Sequence, residues 1–497
     1  MGNMFSRRMF LGSAAAFGGV GAAAVAAPPA VSLRPRLRGG DFHKRGVSAA
    51  QEIIQTAKLS GKVAFAVADA QTGEWLEQEN ETSGCAPASV TKAITALYAL
   101  ETLGAAHRFE TRLCTTGGIK NGEVQGDLVL VGGGDPTLDT DGLAEIAAQM
   151  KAAGIIGVKG GFKIYDAALP VLREIDPEQP DQVGYNPAVS GFALNYNRVH
   201  FEWKRASKGY DITMEGRSAR YRPAVAMAAM QIRDRRAPIY TYEDRDGRDN
   251  WTVARAALGK NGARWLPVRK PGLYVGDVFA TLAGAQGIRL RKPQVIAALP
   301  EGDTLVRHQS GPLLGILQEM LKYSNNLTAE MVGLAATGKR SGKAADLRSS
   351  AAEMNRWAVT ALGMRVPKLV DHSGLGDAST VTAQDMARAL VKVQASPLRG
   401  ILKPFGMRDA KGRPIKDHPI KVDAKTGTLN FVSGLAGYLT AADGRVMAFA
   451  IFAIDEKARA KIRPEDRERA PGARTWNRRA KNVQQGLIER WGVLYGS

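Results

Sequence analysis

Ser89 and Lys92 stand three residues apart in Ala88-Ser89-Val90-Thr91-Lys92, at the head of an Ala/Leu-rich stretch. That stretch reads as a helix running to Leu103, with Gly104 placed to end it. Positions i and i+3 share a helix face, so the hydroxyl and the amine can be neighbours. A serine hydroxyl needs a base to act as a nucleophile near neutral pH. A lysine can be that base once burial or a nearby cation lowers its pKa. Taken singly, the spacing is commonplace on solvated helices. Two further segments strengthen it. Tyr323-Ser324-Asn325-Asn326 falls between two helical stretches and offers a second hydroxyl and an amide. Lys425-Thr426-Gly427-Thr428 is expected to start a strand at the last hairpin. There the glycine keeps the strand surface open to a substrate backbone, and the lysine offers a point charge to a carboxylate. Each segment by itself reads as a polar loop or a strand end. The three in this order, each at an element boundary, point to one nucleophilic site.

The elements that must position these residues follow from periodicity and turn chemistry. Lys62–Ala68 and Glu74–Glu79 flank the turn Gln71-Thr72-Gly73 and read as a hairpin. After the Ser89 helix, Thr111–Thr115 and Asp127–Val131 read as strands. From about residue 120 to 271 turn residues are frequent and long helices few, and Arg198–Trp203 alternates like a strand. Helical periodicity returns at Gly276–Gln286, Pro312–Lys322, Asn326–Thr337 and Ala351–Ala361. Val432–Thr440 and Arg445–Ile454 flank Ala441-Ala442-Asp443-Gly444, a strong hairpin signal, and Arg474–Trp491 is a final helix. The whole implies a mixed α/β fold, a sheet flanked by helices and interrupted by a β-rich insertion. The expected division is a catalytic domain made of residues 47–116 and 271–497, with inserted β-rich domains over 117–270.

The three segments resemble the Ser-x-x-Lys, Ser-x-Asn and Lys-Thr-Gly motifs of penicillin-binding proteins and serine β-lactamases. Within that superfamily the chain is most similar to the class C low-molecular-mass penicillin-binding proteins, the serine D-alanyl-D-alanine carboxypeptidase/endopeptidases. Pro87–Lys92, Gly126–Leu138, His308-Gln309-Ser310 leading into Lys322–Glu330, and Asp371-His372-Ser373-Gly374-Leu375 carry the narrower likeness. So does the wide gap from Ser89 to Ser324, where this family inserts domains that β-lactamases lack. The likeness runs from about Val47 to Trp491. It implies a transpeptidase-like core with β-rich insertions and D-Ala-D-Ala carboxypeptidase action, with scope for DD-endopeptidase action, on peptidoglycan stem peptides. Ser89 would form an acyl-enzyme with Lys92 as its base. Ser324 and Asn326 would relay a proton to the leaving amine and position the substrate. Lys425, Thr426 and Thr428 would bind the terminal carboxylate and line the substrate strand. The backbone N–H groups of Ser89 and Thr428 would hold the oxyanion. β-Lactams would be covalent inhibitors, and no cofactor or metal is implied. The same likeness leaves Asp166 open as an acid contacting the diaminopimelate end of the substrate, and gives His372 no role.

The chain has 497 residues, enough for two or three domains, and a formal net charge of +20 from 68 Lys+Arg against 48 Asp+Glu. The basic residues are scattered, densest over Arg463–Lys481, with no zinc-finger spacing, basic zipper or RNA-binding aromatic signature, so nucleic acid is not an expected partner. The charge suits solubility and peripheral association with an anionic wall or membrane surface. Cys85 and Cys114 form no metal motif, and sequence leaves open whether they bridge. At the N-terminus Ser6-Arg7-Arg8-Met9-Phe10-Leu11-Gly12 is a twin-arginine pattern. It precedes a weakly apolar Ala/Gly run and an Ala24-Val25-Ala26 cleavage site. Residues 1–26 are therefore expected to be an export signal, 27–46 a flexible leader, and the mature chain periplasmic or otherwise extracytoplasmic. Three rivals stand beside this reading. They are an esterase or β-lactamase on the same core, a non-catalytic wall binder, and a polyanion binder that rests on net charge alone.

Overall fold

The computed structural model describes Lys44 and residues 46–342, 344–409 and 411–496. The expected signal and leader, apart from Lys44 and Gly46, lie outside the described residues. Among the described residues no helix is long and apolar enough to cross a membrane.

A six-stranded antiparallel sheet carries the site. Its order is Lys403–Pro404, Lys421–Leu429, Val432–Thr440, Val446–Ile454, Lys62–Asp69, Trp75–Glu79. The strand nearest the N-terminus therefore sits beside one near the C-terminus, Lys62 opposite Ile454 and Asp69 opposite Met447. The 62–69 strand is buried on both faces, and its period of two divides them. Val63, Phe65 and Val67 pack with Trp476, Leu487, Ile488 and Trp491 of the C-terminal helix Ala473–Leu494. Ala64 and Ala66 face the other way, into a core with Val90, Ile94 and Leu97. The small alanines let the helix Ala383–Lys392 lie close to the sheet. The helices Leu313–Tyr323, Asn326–Ser341 and Leu347–Leu362 pack around the helix Thr91–Leu103. Helix starts are capped as sequence chemistry dictates: Asn325 Oδ1 accepts from the Thr328 N–H at 3.0 Å, and Asp346 and Ser349 form a reciprocal capping box.

A second core belongs to the inserted region. Its five-stranded sheet runs Gln294–Val295, Phe162–Tyr165, Leu128–Gly132, Glu110–Thr115, Asp303–Gln309. The helices Thr140–Ala152 and Pro271–Ala285 bury Leu143, Ile146, Tyr274, Val278 and Phe279 in that core. Three three-stranded sheets, 119–158, 198–267 and 228–254 in extent, complete it. Elements outside the expected boundaries of 117 and 270 join this core. Strand 110–115 pairs with both 128–132 and 303–309, and helix 271–285 faces the inserted core rather than the catalytic one. Residues 47–496 also cohere as one unit rather than as detached domains.

Both cysteines are free and buried. Cys85 pairs its backbone with Val381, whereas Cys114 lies on the 110–115 strand of the inserted sheet. Burial pushes the Cys85 thiol up to about 11.

Candidate active site

The Ser89 turn is forced tight. Ala88 takes a positive φ of 47°, and Ala88–Val90 is a 3-10 turn running into the 91–103 helix. Two glycines make room for it. A Cβ on Gly427 would lie 2.5 Å from the Pro87 carbonyl oxygen and 3.1 Å from the Ser89 nitrogen. Gly374, with φ of 75°, packs so closely on Ala88 that a side chain there would run into its carbonyl. Strand and loop thus close on the Ser89 turn from two sides.

Lys92 is fully buried, and its Nζ has three acceptors within reach: Ser89 Oγ at 2.9 Å, Asn326 Oδ1 at 2.7 Å and the Ser373 carbonyl at 2.8 Å. The orientation of the Asn326 amide is fixed, because its Nδ2 donates to the Tyr185 carbonyl at 2.9 Å. This arrangement has a chemical consequence. An ammonium uses all three N–H bonds on these partners. A neutral amine keeps two N–H bonds and one lone pair, and neither Asn326 Oδ1 nor the Ser373 carbonyl can donate to that pair. The Ser89 hydroxyl can. Loss of one proton from Lys92 therefore aims its lone pair at the Ser89 O–H. Burial pulls the Lys92 pKa down, opposed by the carboxylates of Glu330 and Asp371.

Those carboxylates hold the loop that supplies the Ser373 carbonyl. Glu330 accepts from the His372 and Ser373 N–H groups, both at 2.9 Å. Asp371 accepts from Gly374 and Gly376, both at 2.6 Å. Burial raises both acids, and Asp371 raises Glu330 further. His372 is buried with Nε2 2.7 Å from Ser350 Oγ, stacked on Gly333, and burial holds its pKa at about 3. It is a neutral packing element.

The second pair sits opposite. Ser324 ends the 313–323 helix in the left-handed region, φ 59°, which turns its side chain away from the helix axis. Lys425 Nζ donates to Ser324 Oγ at 3.0 Å and to the Thr426 carbonyl at 2.8 Å. Lys425 is 2 % exposed, and burial, Lys92 and Lys403 bring its pKa down to about 7. It lies at the middle of the 421–429 strand, not at its start as expected, since pairing with 432–440 already begins at Lys421. The short strand 403–404 covers only Ala424 and Asp423, so the outer edge of the strand beyond Ala424 is left to the cleft.

The cleft measures about 590 Å³ and is lined by Ser89, Ser324, Asn326, Leu375, Thr428 and Leu429 among others. Of the residues singled out from sequence, Ser89, Lys92, Asn326, Ser324 and Lys425 meet through the hydrogen bonds above, and Thr428 joins them on the cleft wall. Thr426 is exposed on the strand, two residues before Thr428 and so on its face, but does not itself line the cleft. Asp166 is elsewhere: it is buried, with its carboxylate against Gly272 in the first turn of the 271–285 helix. Sequence reasoning gave no role to Glu330, Asp371, the Ser373 carbonyl or the Tyr185 carbonyl. An acid inside the apolar run Leu327–Leu334 was the available signal for Glu330. Tyr185 reaches Asn326 because Val189 and Ala193 of the inserted region pack on Leu327 and Met331. Among the described residues no group of three or more His, Cys, Asp or Glu side chains converges to hold a metal.

Comparison with known proteins places this geometry. Residues 47–467 match the D-Ala-D-Ala carboxypeptidase 3 (S13) family. A D-alanyl-D-alanine carboxypeptidase of Actinomadura sp. strain R39 is 27 % identical over 430 residues, covering 80 % of this chain and 79 % of that one. D-alanyl-D-alanine carboxypeptidase DacB of Haemophilus influenzae is 23 % identical over 431 residues, covering 81 % and 87 %. The crystal structure of penicillin-binding protein 4 (dacB) from Haemophilus influenzae superposes with a TM-score of 0.71 at 20 % identity, covering 89 % of this chain and 99 % of that one. The same Haemophilus protein has been solved in complex with a β-lactam.

Proposed function

The chain belongs to the D-Ala-D-Ala carboxypeptidase 3 (S13) family, and on that premise we propose how its own residues perform the reaction. The enzyme is a serine D-Ala-D-Ala carboxypeptidase of peptidoglycan peptides. Ser89 Oγ attacks the carbonyl between the two D-alanines while its proton passes to neutral Lys92. The oxyanion lies on the backbone N–H groups of Ser89 and Thr428. The C–N bond then breaks, and the departing amine takes a proton through Ser324, which Lys425 replenishes. Lys425, with Thr426 and Thr428 on its strand, binds the terminal carboxylate, and Asn326 holds Lys92 and the substrate amide. Water attacks the Ser89 ester, and the acid product leaves. A β-lactam amide enters the same path, but its amine stays tethered after ring opening, so the acyl-enzyme persists.

The observation that carries this reading is the triple contact of Lys92 Nζ, which leaves the Ser89 hydroxyl as the partner of the neutral amine. The test compares a D-Ala-D-Ala peptide, a simple ester and a penicillin on one preparation. A carboxypeptidase releases D-alanine from the peptide and is acylated and held by the penicillin. Rapid turnover of penicillin without peptide hydrolysis would instead mark a β-lactamase.

A cell-wall peptidase acts outside the cytoplasm. We infer further that Arg7-Arg8 directs folded export to the periplasm and that the net charge of +20 favours residence near anionic wall or membrane.

A further inference from the structure

Beneath the Ser89 turn lie one buried cation and two buried acids that do not touch it. Lys92, Glu330 and Asp371 are all buried, yet among the described residues no ion pair joins Lys92 to either acid. Lys92 Nζ is taken up by Ser89 Oγ, Asn326 Oδ1 and the Ser373 carbonyl. The acids are taken up by the backbone: Glu330 by the His372 and Ser373 N–H groups, Asp371 by those of Gly374 and Gly376. Each acid uses both oxygens as acceptors, the arrangement of an ionised carboxylate. Burial raises both acids and these N–H groups oppose it. Buried charges held apart in this way are costly, and proteins ordinarily pair them directly.

Two consecutive peptide groups stand between the acids and the helix that carries Lys92. The peptide joining His372 to Ser373 donates its N–H to Glu330 Oε1 at 2.9 Å and accepts at its carbonyl from Thr95 Oγ1 at 2.7 Å. The next peptide, joining Ser373 to Gly374, donates its N–H to Asp371 Oδ1 at 2.6 Å and accepts from Lys92 Nζ at 2.8 Å. Each peptide therefore has a carboxylate at one end and a donor of the 91–103 helix at the other. Hydrogen bonds in such a chain polarise one another, so an anion at the N–H end makes the carbonyl a stronger acceptor. The ammonium form of Lys92 gains most from that carbonyl. A carboxylate placed directly on Nζ would instead compete with Ser89 for the proton. Set one peptide back, it acts on Lys92 and leaves the Ser89 hydroxyl in contact.

We propose that Glu330 and Asp371 are positioning residues for the base: through the 372–374 peptides they aim the Ser373 carbonyl at Lys92 and favour its charged form in the resting enzyme. The inference rests on the reading of Lys92 as the base for Ser89 and deepens it. Burial lowers the Lys92 pKa, and Glu330 and Asp371 oppose that lowering. The other charged groups facing this cluster are few. Lys425, on the 421–429 strand, and Lys92 repel each other. Asp176, from the inserted region, acts on Asp371. His372 stays neutral, since burial holds its pKa at about 3.

The test follows acylation by labelled penicillin against pH for the full chain and for its Glu330→Gln, Asp371→Asn and Thr95→Val variants. Gln and Asn keep the size and one acceptor oxygen but remove the charge. Thr95→Val removes a neutral donor from the far end of the first peptide. With a negative charge gone, the ammonium gives up its proton more readily. Either amide variant should therefore move the rising limb to lower pH by about one unit and lower the plateau about ten-fold through misplacement of the base. Thr95→Val should lower the plateau and leave the limb in place. A limb unmoved in both amide variants, or moved as far by Thr95→Val, would overturn the proposal. A second measurement needs no variant to fold. In wild-type chain labelled at the backbone nitrogens of serine and glycine, the Ser373 and Gly374 amide resonances should shift with the midpoint of the acylation limb, because their peptides lose a polarising partner when Lys92 becomes neutral. Resonances that stay fixed across that limb would also overturn it. A Lys92→Ala chain acylated as fast as wild type would sink the underlying reading instead.

Discussion

Gly427→Ala places a methyl group where strand and nucleophile turn leave no room. The new Cβ would lie 2.5 Å from the Pro87 carbonyl oxygen and 3.1 Å from the Ser89 nitrogen. An unstrained carbon–oxygen contact of this kind is about 3.3–3.6 Å, so the strand and the turn must part by about 0.8–1.1 Å. The Pro87 carbonyl also accepts from the Val90 N–H, at 3.1 Å, so the turn cannot yield there without loosening itself. The parted groups are those that matter: the Ser89 N–H on one side and the Thr428 N–H on the other, the two donors assigned to the oxyanion. A misplacement of about 1 Å costs on the order of a hundred-fold in rate, or about 2.7 kcal/mol of barrier. Overpacking at one site costs about 1–3 kcal/mol of stability, so the protein should still fold. The assay is the rate of acylation by labelled penicillin, read beside the melting temperature. Gly315→Ala is the control, since nothing lies within 4 Å of a Cβ there. A folded Gly427→Ala protein acylated within two-fold of wild type would refute the reasoning.

Other perturbations separate the roles of the charged groups. Lys92→Ala should slow acylation by about 10²–10⁴-fold while leaving reversible binding of a D-Ala-D-Ala peptide measurable; an unchanged acylation rate would remove Lys92 as the base. The pH profile should show two opposed limbs. Acylation rises as pH climbs through the lowered pKa of Lys92, because its neutral form accepts the proton. In the free enzyme, kcat/KM for a carboxylate-terminated peptide falls above about 7, where Lys425 loses its charge. A neutral ester should lack that falling limb. Lys425→Ala should harm the carboxylate-terminated substrate more than the ester, and equal loss on both would contradict the assignment. Replacing Arg7 and Arg8 by lysine should leave the protein inside the cell, checked by fractionation; normal extracytoplasmic accumulation would exclude the twin-arginine route.

The convergence of Ser89 and Lys92 was legible because their spacing is local. Ser89 and Lys92 need only one helical turn, and Ser324 announces itself at a break between helices, whereas Lys425 sits inside its strand. What was hidden acts through the backbone across long sequence distances. Glu330 works by accepting from His372 and Ser373 some forty residues on, and Tyr185 by offering a carbonyl to Asn326. The apolar run around Glu330 marks it as unusual without naming its partners, and nothing in Tyr185 signals its task. Strand pairing across long sequence distances was hidden for the same reason: strand 110–115 pairs with 303–309, nearly two hundred residues later, which composition cannot reveal. The helix 140–152 was a different kind of miss. Leu143, Ile146, Ala147 and Met150 follow helical spacing behind the Asp139 cap, and the turn-rich surroundings masked them. Strand 421–429 begins four residues before Lys425 because Val422 and Ala424 bury one face of it, a signal too short to read alone.

The most direct test of the account is the site of the covalent bond. Wild-type chain and Ser89→Ala are incubated with labelled penicillin, digested, and mapped by mass spectrometry. The wild type should carry one adduct on the peptide containing Ser89, and Ser89→Ala should carry none while keeping its melting temperature. A penicillin adduct on another residue of the wild type, or one that persists in Ser89→Ala, would contradict the claim that Ser89 is the nucleophile.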